Sequence, residues 1–72
     1  MSLSGWPIND RVLVNLVDET AISGVLLRRR GPLLVLAHGH VHSPGQEPTR
    51  ADGLVYIERA KVLFIQKLTP EV

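Results

Sequence analysis

The feature that most constrains this chain lies near its end, where residues 53 to 58, GLVYIE, and residues 61 to 67, KVLFIQK, are separated only by Arg59 and Ala60. Two strand-like segments joined by two residues leave room for a two-residue hairpin or a sharp corner. The same grammar runs upstream. Segments rich in Val, Leu and Ile alternate with turn signals, and no apolar stripe of 3.6-residue period appears. Residues 11 to 17, RVLVNLV, predict a first strand with Val12, Val14 and Leu16 on one face. Asp18, Glu19 and Thr20 predict a tight turn, with Asp18 satisfying backbone groups as Asp does in turns. Residues 21 to 30 predict a second strand with Ile22, Gly24, Leu26 and Arg28 on a common face, where Gly24 marks a strong bend or a close backbone approach. Gly31-Pro32 breaks the chain, and residues 33 to 42 predict a third strand. Residues 43 to 52, with two prolines and little apolar content, predict a loop.

Five short strands in so few residues make an all-β fold: a small, strongly bent antiparallel sheet or barrel spanning 11 to 67. A short N-terminal segment, 1 to 10, has room for one helical turn at most. Trp6 would cap one end of the core, and residues 68 to 72 form a C-terminal tail. A core drawn from 72 residues with no cysteine is marginal and gains most from association. The segments expected to supply that association are the last two strands, apolar on both faces, through Val55, Ile57, Leu63 and Ile65. Formal charge is +1, a weak electrostatic signal for nucleic acid. No apolar run is long enough to span a bilayer, and the N-terminus lacks the pattern of a signal peptide. A cytoplasmic location, or assembly inside a cell, is the expectation.

The order of these segments resembles the Sm-like superfamily (Sm, Lsm and bacterial Hfq proteins). Its first motif corresponds to RVLVNLVDETAISGVLLRRRGPLLVLAHG, residues 11 to 39, and its second to LVYIERAKVLFIQ, residues 54 to 66. The resemblance implies a five-stranded bent barrel whose subunits pair their last two strands into rings. In the RNA-binding members a base pocket forms from a polar loop after the second strand and an Arg-Gly corner. Here that loop is Arg30-Gly31-Pro32-Leu33, with no Asn or Asp, and the corner is Arg59-Ala60. The Arg is kept and the glycine, which allows close backbone approach, is lost. A second, shorter resemblance, carried by Asp52-Gly53 and residues 57 to 66, is to small proteins from the structural gene clusters of tailed phages. The reading that follows is a non-enzymatic assembly module, associating with itself or with other proteins, plausible as a virion component. The alternative is an RNA-binding ring.

Three groups of residues carry chemistry. His38, His40 and His42 alternate along the third strand and would share a face. A solvated face explains them, with a metal site as the distant alternative because Glu47 and Asp52 are the nearest carboxylates and no Cys is present. Arg28, Arg29 and Arg30 precede a turn and could meet a partner's carboxylates or phosphates, with Arg28 and Arg30 on one face and Arg29 on the other. Together with Arg59 they are the residues available for weak nucleic-acid binding. Tyr56, Trp6 and Phe64, in three separate segments, are expected in or over the core. No nucleophile–base set, phosphate-binding glycine loop or cofactor motif is present, so no enzyme activity and no cofactor are expected.

Overall fold

The computed structural model describes residues 6 to 68. Its elements are β1 (Arg11–Leu16), β2 (Ala21–Arg30), β3 (Leu33–His42), β4 (Thr49–Ala51), β5 (Val55–Glu58) and β6 (Val62–Lys67), with one turn of 3-10 helix, Arg59–Lys61, at the corner before β6. All pairings are antiparallel. The strands follow the order β4-β3-β2-β1-β6, and β5 also pairs with β3. β3 is the organising strand: residues 33 to 36 bond β5, while residues 39 to 41 bond β4.

One expectation changes. The segment read as an unstructured loop, 43 to 52, contains β4, because its Thr49–Ala51 backbone finds the free edge of the far half of β3. Residues 6 to 10 form turns and no helix. Asn9 N–H donates to Leu26 O at 2.6 Å and Leu26 N–H to Asp10 O at 3.1 Å, which extends the β1–β2 ladder instead. The first five residues of the N-terminal segment and residues 69 to 72 of the tail lie outside the described residues.

The core is Val12, Val14, Leu26, Leu34, Leu36 and Ile57, with Trp6, Ile8, Leu16, Ile22, Val55, Val62 and Ile65 packed against it. Each fully buried aliphatic side chain contributes about 1.5–3 kcal/mol. The alternation expected for β1 holds, and Trp6 lies over the core as expected. Asp18 also behaves as read: its Oδ1 accepts from Thr20 N–H at 3.1 Å and from Thr20 Oγ1 at 2.5 Å.

Two bulges set the remaining faces. Between Ser23/His40 and Val25/Ala37, one residue of β2, Gly24, opposes two of β3, His38 and Gly39. Gly24 is required there, since a Cβ would stand 2.8 Å from Ala37 O. Between Leu26/Leu36 and Arg28/Val35, Leu27 is the extra residue on β2. An extra residue reverses which side of the sheet the later side chains occupy. Arg28 therefore pairs with Val35 and lies on the face opposite Leu26, contrary to the common face expected from simple alternation.

Candidate subunit and nucleic-acid interface

Among the described residues three strands have a partner on one edge only: β4, β5 and β6. β5 bonds β3 along one edge, and β6 bonds β1 along one edge. Exposed large apolar side chains concentrate beside them: Leu54, Tyr56, Leu63, Phe64 and Leu68 are each 45–63% exposed. Tyr56 and Phe64 are thus not core residues, as their hydrophobicity suggested. Alternation inside β5 buries Ile57 and turns Tyr56 outward. On β6, Ile65 pairs with the core residue Val14, and Phe64 pairs with Asn15 on the other face. A register shift opposite Asn15 and Leu16 leaves Leu63 between paired positions, and it is the most exposed large apolar residue described.

The four residues expected at a subunit interface therefore divide. Ile57 is buried at 4% exposure, and Val55 and Ile65 pack against the same core. Only Leu63 presents most of its side chain outward. Sequence reasoning missed Tyr56 as a surface residue, and the signal was available in its odd–even position relative to Ile57.

The arginines distribute over two places. Arg28 and Arg30 are exposed, while Arg29 is half-buried and its Nε donates to Gly31 O at 2.8 Å. The cross-strand rows Arg28–Val35–Tyr56 and Arg30–Leu33–Glu58 place Arg28, Arg30, Tyr56 and Glu58 on one outer face. Arg59 lies at the 3-10 corner. Its backbone N–H donates to Pro32 O at 2.7 Å, which ties the corner to the β2–β3 turn. Its guanidinium carbon stands 6.0 Å from the centre of the Trp6 ring, at the outer limit of a cation–π contact. Trp6, Arg59, Val62, Leu63 and Phe64 line a shallow groove of about 270 Å³. A planar cation, an indole and a phenyl ring around one groove are the groups that stack on nucleobases and meet phosphates.

The histidines do not form the row that alternation suggests. His38 is the bulged residue, exposed, with φ of 54°. His40 and His42 lie on the face of Ser23 and Ala21, and His42 Nε2 is 2.9 Å from Ser23 Oγ. Among the described residues no group of three or more His, Cys, Asp or Glu could hold a metal ion. His38 and His40 instead line a second groove, of about 530 Å³, with Arg50 and Asp52.

No protein-family model matches this sequence, and no curated protein matches it. Solved structures do. A Pyrococcus abyssi Sm protein, determined in complex with a uridine heptamer, is 26% identical, with 85% of this chain and 86% of that chain covered at a TM-score of 0.73. A heptameric archaeal Sm protein is 26% identical over 88% of this chain and 91% of that one, with a TM-score of 0.74. The P. aerophilum SmAP1 heptamer covers 97% of this chain and 99% of that one at a TM-score of 0.78 and 24% identity, a likeness of fold. The chain thus has the Sm-like fold, the all-β barrel that its strand order predicts.

Proposed function

We propose that this chain is a subunit of an Sm-like ring that binds single-stranded RNA. The observation that carries the reading is the pair of unlike edges, β5 and β6, each flanked by exposed apolar side chains. Two unlike edges that pair between copies make a head-to-tail contact, which closes into a ring when the rotation per subunit allows it. β5 would add its backbone to β6 of the next copy, covering Tyr56, Leu63 and Phe64. The heptameric architecture of the similar archaeal protein supports this.

The RNA half of the reading rests on the Arg59 corner and its hydrogen bond to the β2–β3 turn, and on the uridine heptamer held by the similar Pyrococcus abyssi protein. The β2–β3 turn, Arg30-Gly31-Pro32-Leu33, carries no Asn or Asp and Ala60 follows Arg59, so contacts would come from charge and stacking more than from base-edge hydrogen bonds. The function is one of binding and assembly, without catalysis. The assembly module expected from the sequence is retained as the ring. A virion role draws no support from the similar structures, and RNA binding draws more than a charge of +1 suggested.

The test is native mass spectrometry of the purified full chain, with and without nuclease, followed by fluorescence anisotropy with a labelled uridine heptamer. A single ring mass and salt-sensitive binding support the reading. A monomer at micromolar concentration would remove the ring, and a ring indifferent to the oligonucleotide at low salt would leave assembly as the function.

A further inference from the structure

We infer that the groove between β3 and β4 is a pH-dependent site for a phosphate group, free or carried by a nucleotide. The groove shares no residue with the Arg59 corner, so the inference stands independently of the RNA reading. Its walls are built from the β3 bulge. Gly24 lets Ala37 O approach, and Gly39 is buried with room for no easy Cβ, which would meet Val55 Cγ2 at 3.1 Å and Ser23 O at 3.3 Å. These close approaches hold His38 in a left-handed conformation that side-chain-bearing residues rarely adopt. Such conformations persist only where the surroundings enforce them, and they are enriched at binding sites.

Across the same groove His40 pairs directly with Arg50 in the β3–β4 ladder. Residues directly opposite in an antiparallel pair have neighbouring side chains, and like charges there repel. Histidine changes charge between pH 5 and 8. When His40 is protonated, two cations therefore face each other across strands, with His38 on the same groove. A phosphate placed among them relieves that repulsion and accepts from imidazolium and guanidinium donors together. Asp52, 3.4 Å from Arg50 Nε, is the one carboxylate lining the groove. Its side chain is 92% exposed, so the pair is weak and its carboxylate can turn to water. With both imidazoles neutral the two opposite charges cancel; with both protonated the groove carries an excess of two positive charges. Ala37, Ala51 and Leu54 supply an apolar wall, and the volume of about 530 Å³ suits a nucleotide-sized ligand.

The experiment is a histidine-resolved NMR titration of the full chain with inorganic phosphate and with uridine monophosphate, at pH 6 and pH 8 and constant ionic strength. The expected result is saturable movement of the His38 and His40 signals, tighter at pH 6 by roughly fivefold, the size of an exposed charge contact. Phosphate itself gains negative charge towards pH 8, so a preference for pH 6 reports the histidines and not the ligand. Arg50→Ala and His40→Gln should each weaken binding by roughly fivefold, whereas Arg59→Ala should leave it unchanged. Movement with both probes assigns the site to phosphate; movement with the nucleotide alone adds the apolar wall to the same site. Signals that stay unmoved at pH 6 with both probes, an equal response to chloride, or full binding by folded Arg50→Ala and His40→Gln variants would overturn it. Loss of heptamer binding in Arg59→Ala with this titration intact would separate the two sites.

Discussion

Gly24 and Ala37 approach so closely that a Cβ on the glycine would stand 2.8 Å from the alanine carbonyl oxygen. The neighbour is backbone in the middle of a sheet and cannot turn aside as a flexible side chain would. Gly24→Ala should therefore destabilise the fold by about 1–3 kcal/mol, the usual cost of overpacking. Urea denaturation of the two proteins checks this. An unchanged midpoint would show that β3 shifts freely at the bulge.

Leu63 is 63% exposed on a strand whose outer edge has no partner within the described residues. In a ring that side chain is covered. Leu63→Asp should then release monomers that remain folded, because the substitution removes nothing from the core. Sedimentation and circular dichroism together read this outcome. A Leu63→Asp variant with the wild-type mass would place the subunit contact elsewhere. By contrast, Ile57→Asp should unfold the chain, since Ile57 is a core residue in the monomer itself.

Arg59 is the cation that the fold fastens to the β2–β3 turn. If it meets RNA phosphates, Arg59→Ala should weaken uridine heptamer binding. It should also lower the slope of log K against log salt by about 0.7 for each phosphate of the single strand that is no longer neutralised. Anisotropy at three salt concentrations measures both quantities. An unchanged slope would show that Arg59 contributes through Trp6 and not through phosphate.

The Asp18 carboxyl is held below the ordinary carboxylate range by the Thr20 hydroxyl first and by the Thr20 backbone N–H second. A depressed folded-state pKa contributes stability that is present above the unfolded value of about 3.9 and lost as pH falls through the folded value. Thr20→Val removes the hydroxyl and keeps the backbone donor. Its Asp18 should titrate closer to the ordinary value, and its stability should change less between pH 5 and pH 2 than that of wild type. Carboxyl-resolved NMR and acid denaturation check the two halves.

The division of labour between sequence and tertiary structure is clearest along β3. Leu34 and Leu36 are core residues at the spacing their alternation predicts. Beyond Ala37 the same reasoning fails, because an extra residue at His38 reverses the faces, and no local pattern in AHGHVH marks it. The bulge comes from Gly24 on another strand, fourteen positions earlier, so it belongs to the pairing and not to the segment. β4 was illegible for a related reason: three residues of ordinary polarity become a strand only because β3 overhangs β5 and offers them an edge.

The sequence by itself determined the all-β class, five of the six strands, the need for glycine at position 24 and the Arg59 corner. Each follows from alternation, turn chemistry or the absence of a side chain, which act over a few residues. Only the tertiary structure decided that Ile57 is inside while Tyr56 and Phe64 are outside. It also decided that Arg59 is tied to Pro32, and that His40 faces Arg50 while His42 faces Ser23. Those relations depend on register between strands far apart in sequence, and a shift of one residue in register turns every side chain to the other face.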